Sequence, residues 1–166
     1  MPVRVYLDSS AIVKRYIKEQ GTEIMDILFE DAEAGHINIF FSVWNIGEVL
    51  GIFDRYKRRK LINESEYKEV VGKFTKEFMK LANFQYLDVV PLHTNVITDA
   101  IEIILKYHVY EADAIQIVSS MQSNSEIFLS ADWRLVEVAR RVRINAFDVE
   151  KESEGIKSLL AYEYRV

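Results

Sequence analysis

Apolar residues along this chain follow two rhythms. Short, mostly apolar runs at Val3–Leu7, Ile37–Phe41, Leu87–Leu92 and Ile127–Ser130, with a fifth at Ile144–Val149, have the length and side-chain types of buried strands. Between them apolar positions recur at helical spacing. One stripe is Ile24, Ile27 and Leu28; another is Ile46, Val49, Leu50 and Phe53; a third runs Tyr67, Val70, Val71, Phe74, Phe78 and Leu81; a fourth points Ile97, Ala100, Ile101, Ile104 and Leu105 inward. Boundary residues agree with these segments. Ser9 or Ser10 is placed to cap a helix running to about Ile17, Thr22 opens a second that Gly35 ends, and Ser42 caps a third. That third helix closes on the cationic run Lys57-Arg58-Arg59-Lys60, favourable at a helix C-terminus. Asn63 and Glu66 have capping-box spacing. Thr94 opens the helix before the break near His108, and the segments Trp133–Val142 and Glu152–Tyr164 complete the helices.

Strands alternating with helices predict an α/β fold, with a central parallel sheet of four or five strands covered on both faces. Residues 1–150 form one domain in this reading, and residues 151–166 a C-terminal helical extension packed on it. A length of 166 residues fits one domain with a sizeable core. Cysteine is absent, which excludes a thiol nucleophile, a disulfide framework and a cysteine-based zinc site. No apolar run approaches the roughly 20 residues of a membrane span, and the N-terminus opens into a strand, so a cytoplasmic protein is expected. The net charge of -5 argues against a general phosphate binder. Contact with nucleic acid then has to come from local basic patches or from bound cations.

The chemistry concentrates in four acids. In an open parallel sheet, ligands bind beyond the carboxyl ends of the strands. Asp8 directly follows the first strand and Asp132 the fourth, in "FLSAD". Glu48 lies within two turns of the start of the helix after the second strand, bordering its apolar stripe. Asp113 sits in "YEADAIQIVSS" amid residues apolar nearly all the way round, where an unpaired carboxylate is costly. Singly, Asp8 and Asp132 read as helix caps, Asp113 as a helix N-terminal acid and Glu48 as half of an ion pair. Together at one edge they would repel and raise one another's pKa, unless a hard divalent cation such as Mg²⁺ or Mn²⁺ joined them. His36, His93 and His108 are scattered and read as surface or structural residues.

"VYLDSSAIV", Glu48 in "SVWNIGEVL", Asp113 in "YEADAIQIVSS" and Asp132 in "IFLSADWRL" resemble the motifs of PIN-domain nucleases, in order and over nearly the whole chain. The resemblance implies a three-layer α/β/α sandwich and a metal-dependent ribonuclease using Mg²⁺ or Mn²⁺. It makes Asp8, Glu48, Asp113 and Asp132 the catalytic and metal-binding acids, with Asp8 and Asp113 expected as direct ligands. Ser10 and Ser130 match the supporting hydroxyl positions. Many members carry a further acid just after the last Asp; here Trp133, Arg134 and Leu135 follow. Small single-domain members resemble VapC-like toxins, which implies an antitoxin protein and a homodimer among the partners. That reading expects the helices of residues 43–60 and 63–84 to present Trp44, Phe53, Tyr56 and Phe84 to the partner.

Basic residues have to guide the RNA substrate. Lys14, Arg15 and Arg134 are the contacts expected, along with the runs Arg55–Lys60 and Arg140–Arg143. Other acid-using α/β folds fit less well. A receiver domain needs adjacent acids after the first strand, where two serines stand. A haloacid dehalogenase phosphatase needs a second Asp where Ser10 stands. The remaining alternative is a PIN-like fold kept as a non-catalytic RNA- or protein-binding module. Four gathered acids argue against it, because a binding module has no physical reason to accumulate like charge.

Overall fold

A computed structural model describes residues 1–163; the end of the last expected helix, at Tyr164, lies outside them. Five strands, β1 (Val3–Leu7), β2 (Ile37–Ser42), β3 (Leu87–Val90), β4 (Ile127–Ser130) and β5 (Ala146–Asp148), form one sheet in the order β3-β2-β1-β4-β5. Every pairing is parallel. Among the described residues eight helices connect and flank the strands: α1 (Ser9–Val13), α2 (Thr22–Glu33), α3 (Val43–Arg58), α4 (Glu64–Asn83), α5 (Thr94–Tyr107), α6 (Glu111–Gln122), α7 (Trp133–Arg141) and α8 (Ser153–Glu163).

Strand alternation divides the core. Val3, Val5 and Leu7 of β1 face one side with Ile37, Ile39 and Phe41 of β2, against α1, α2, α3 and α4. Ile156 and Leu160 of α8 are buried in that same layer. Tyr6 of β1, Phe40 of β2 and Phe128 of β4 point to the other side, against Ile117 of α6 and Leu135, Val136 and Ala139 of α7. The register sets Tyr6 beside both Phe40 and Phe128, and its ring stacks on Phe128 at 5.6 Å. Both faces are covered, which is why the strands are mostly apolar on both.

Three expectations change. The third strand stops at Val90 because Pro91 has no N–H to extend the ladder. The helix after β1 begins from Asp8, not from Ser9 or Ser10, and α1 ends at Val13. The largest change is in α5, where Ile97, Ile101 and Leu105 are 47%, 50% and 70% exposed, while Val96 and Ala100 are the buried positions. The sheet face on that side is already occupied by α6 and α7, so α5 packs on α6 as an outer helix. An outer helix has one neighbour, and the rest of its apolar surface is left uncovered.

Candidate active site

Strand order reverses between β1 and β4, because the chain winds outward through β2 and β3 and then crosses back to β4 and β5. Such a reversal leaves a crevice at the carboxyl edge. Here a cleft of about 410 Å³ opens there, and Asp8, Glu48, Asp113 and Asp132 all line it, with Ser9, Ser10, Arg55 and Gln116. Each acid arrives on a different helix or strand end: Asp8 caps α1, Glu48 lies in α3, Asp113 in the first turn of α6, and Asp132 caps α7.

Asp8 is the most tightly held. Its Oδ1 accepts from the Ser10 hydroxyl at 2.7 Å and from the Ala11 N–H at 3.0 Å, and its Oδ2 accepts from the Ser130 hydroxyl at 2.8 Å. The two serines are themselves fixed by the chain beyond β4, since the N–H groups of Ala131 and Asp132 donate to Ser10 and Ser130, each at 2.8 Å. Asp8 is nevertheless buried, and loss of water pushes its pKa up to about 6 against the opposing pull of those hydrogen bonds.

Glu48 ends a buried polar chain. Its Oε2 accepts from the Ser9 hydroxyl at 2.6 Å and from Gln116 Nε2 at 3.1 Å. Ser9 is oriented by Asn45 Nδ2 at 2.8 Å, and Asn45 Oδ1 accepts from the Ser42 N–H at 2.7 Å. The Tyr6 hydroxyl donates to Gln116 Oε1 at 2.7 Å and accepts from the Ser42 N–H at 3.2 Å. Burial raises the Tyr6 pKa well above that of a free phenol, which keeps its proton in place as a donor. Every proton in this chain therefore points, directly or in relay, toward one oxygen of Glu48.

Asp113 and Asp132 are held less. Asp132 Oδ1 accepts from the N–H groups of Arg134 and Leu135, the work of an N-cap. Asp113 makes no hydrogen bond or ion pair among the described residues, and partial burial, with Asp132 and Glu48 nearby, raises its pKa to about 6. None of the four acids pairs with a Lys or Arg among the described residues, although Arg55 lines the same cleft.

Sequence reasoning did not single out Ser9, Asn45, Gln116 or Tyr6. A detectable signal was present: Asn45 and Gln116 are amides at positions the structure buries completely or nearly so, each three residues from one of the acids, and a buried amide needs partners. The basic residues differ in their partners. Lys14 is buried and ion-paired with Glu19 and Glu150. Arg15 is held by Asp26 at 2.6 Å and by Glu77 at 2.8 Å. Both charges have carboxylate partners within the chain. Arg140 is likewise paired with Glu152. Arg134 is exposed beside Asp132 and, like Arg55, makes no ion pair among the described residues. Of the expected partner-facing aromatics, Phe53 is wholly buried against Tyr16 and Phe74.

Comparison with known proteins places this geometry. No curated protein matches the chain in sequence. Among solved structures it is similar to PAE2754 from Pyrobaculum aerophilum, with a TM-score of 0.60 and 15% identity over 100% of both chains. It is also similar to FitAcB from Neisseria gonorrhoeae, with a TM-score of 0.63 and 14% identity over 87% of this chain and 97% of that one. A structure of FitAB bound to an IR36 DNA fragment gives 0.62 and 14% over 87% and 94%. At such identities the likeness speaks to the fold. A family model matches residues 5–141, from within β1 to the end of α7, and so spans every element that carries an acid of the cleft; this chain belongs to the PIN domain family.

Proposed function

We propose that this protein is a Mg²⁺- or Mn²⁺-dependent endoribonuclease whose site is the cleft of Asp8, Glu48, Asp113 and Asp132. PIN domains are in general metal-dependent nucleases. The observation that carries the reading for this chain is the convergence of four carboxylates from four separate elements on one cleft, none with a cationic partner among the described residues.

The donor set fits a hydrated hard cation. All the acids offer oxygen, and no histidine or cysteine lines the cleft. No three His, Cys, Asp or Glu side chains among the described residues form a group that would hold a metal ion directly. The proposal therefore has the cation held partly through its own waters, as Mg²⁺, which takes one or two carboxylates, commonly is. Asp8 and Asp113 are the direct holders in this proposal, and Glu48 and Asp132 act directly or through water. A bound cation would supply Lewis acidity to the attacking water and offset charge on the phosphoryl oxygens.

The chain's own residues do the positioning. Ser10 and Ser130 fix both oxygens of Asp8. Ser9 and Gln116 fix one oxygen of Glu48 and leave the other for the cleft. Arg55 and Arg134 replace Lys14 and Arg15 as the residues proposed to draw in the RNA backbone.

The likeness of the chain's motifs to those of VapC-like toxins supports a toxin–antitoxin setting with an antitoxin partner; FitAB, similar in fold, is seen in one structure on a DNA fragment. The exposed stripe Ile97, Ile101 and Leu105 on α5 supports a homodimer. Among the described residues no helix is long and apolar enough to cross a membrane, and we place the protein in the cytoplasm. Residues 151–166 are taken as an extension of the same domain.

The test is cleavage of single-stranded RNA by the purified chain. Cleavage is expected with Mg²⁺ or Mn²⁺ and is lost in EDTA. Undiminished cleavage in EDTA would sink the metal mechanism.

A further inference from the structure

Beside the acidic cleft lies an opening of opposite character. Val43, Trp44, Gly47, Glu48 and Leu92 line a space of about 440 Å³. Its walls are the first two turns of α3 and the loop after β3, so it opens at the same carboxyl edge of the sheet. Glu48 lines both spaces. Helical spacing explains the layout: Trp44 and Glu48 are four residues apart, as are Val43 and Gly47, so they share one face. Trp44 is 40% exposed and Val43 46%. A Cβ added at Gly47 would meet no heavy atom within 4 Å, so the space over that turn is open. A tryptophan half in water against aliphatic neighbours is a surface prepared for a flat apolar ligand.

We propose that this opening is a nucleobase subsite of the same active site, where one base of the bound RNA stacks on Trp44 over Gly47. The inference rests on the nuclease reading. Continuity decides the occupant. A strand with its phosphate among the carboxylates continues past Glu48, and a neighbouring base then reaches Trp44. Every base has a π-face that stacks on an aromatic side chain. Apart from the Trp44 indole N–H, Glu48 is the sole polar side chain in the lining, so stacking area and not hydrogen-bond pattern sets the preference, which favours purines.

Trp44 and Trp133 are the only tryptophans, so Trp133→Phe leaves Trp44 as sole reporter. With Asp113→Asn added to prevent cleavage, short single-stranded RNA in Mg²⁺ should quench this fluorescence, saturating with the midpoint seen by anisotropy of labelled RNA. Trp44→Ala should weaken RNA binding on the order of tenfold, and Trp44→Phe should restore most of it. Gly47→Leu, which fills the space and improves helix propensity, should weaken binding without lowering the melting temperature. An abasic site beside the cleaved bond should make binding insensitive to Trp44→Ala. Absence of quenching, or RNA binding by both Trp44→Ala and Gly47→Leu equal to wild type, overturns the subsite. Trp44→Ala that loses a co-purifying protein while binding RNA normally also overturns it and gives the opening to the protein. The two readings fail separately. Cleavage without quenching removes only the subsite, whereas quenching by RNA that the wild-type chain never cleaves removes the nuclease and keeps the base site.

Discussion

Two clefts of similar size show what is unusual about the acids. One, of about 490 Å³, is lined by Arg15, Tyr16, Glu33, Lys73, Lys76, Glu77 and Lys80. Its carboxylates have cations: Glu77 takes Arg15 at 2.8 Å and the Tyr16 hydroxyl at 2.8 Å, and Glu33 takes Lys80 at 2.8 Å. The other holds Asp8, Glu48, Asp113 and Asp132, which are met by hydroxyls, an amide and backbone N–H groups, or, for Asp113, by nothing among the described residues. The same fold thus pairs acids with cations in one cleft and withholds them in the other. An acid already paired is finished chemistry. An acid oriented by neutral donors keeps its charge available for something that arrives from outside.

The contrast can be broken most decisively by removing one unpaired acid. Asp113→Asn keeps shape and removes charge, and it should lower RNA cleavage on the order of a hundredfold or more while the circular dichroism spectrum stays native. Wild-type turnover by that variant would make Asp113 a simple helix-terminal acid.

The paired cleft should respond in stability instead. Arg15→Met leaves Glu77 with only the Tyr16 hydroxyl and removes the bond to Asp26. The pair is partly buried, between the exposed and buried limits, so the cost should be on the order of 2 kcal/mol in denaturant unfolding, with cleavage per folded molecule unchanged. Lost RNA affinity at unchanged stability would return Arg15 to the substrate path.

Asp8→Asn should have the opposite sign. Holding Asp8 at about 6 instead of its usual 3.8 costs up to roughly 3 kcal/mol at neutral pH. Asn caps a helix about as well as Asp, and weaker hydrogen bonds to Ser10 and Ser130 return part of the gain. A net rise of about 1 kcal/mol in EDTA is expected, measured by thermal melts, with Mg²⁺ then stabilising the wild type more than the variant. A clear loss of stability in EDTA would mean that the structural hydrogen bonds outweigh the charge.

The pH profile of the metal-free protein reads the same burial cost without any substitution. The pKa values of Asp8 and Asp113 are each raised to about 6, above their unfolded values near 4. Between those limits the native state binds more protons than the unfolded chain, so stability should fall as pH rises from about 4 to about 6 and level off above. Melting temperatures across that range, with and without Mg²⁺, check it. A profile that rises instead would mean that hydrogen bonding to the charged forms outweighs burial.

The sequence made the sheet and the acids legible because both depend on local rules. A strand buried on two faces is mostly apolar on both, and a parallel strand has to be followed by a crossover, so the sequence alone places Asp8 and Asp132 at strand ends. The placement of Asp113 at the same edge followed from one further step, the return of α6 after α5.

What only the tertiary structure decided was partnership. Lys14 and Arg15 follow Asp8 within one short helix and its exit and read as RNA contacts from sequence, yet Glu150, Glu77 and Asp26 pair with them from elsewhere in the chain. Phe53 and Ile101 belong to equally good helical stripes, but α3 is covered by α4 while α5 packs mainly on α6 at the outside, so one is core and the other surface. The hydroxyl and amide chain from Ser42 and Tyr6 to Glu48 joins residues up to 110 positions apart. Periodicity reports which face of a segment is apolar. It carries no information about what will stand opposite, because that is set by contacts between segments whose separation in sequence is unrelated to their distance in space.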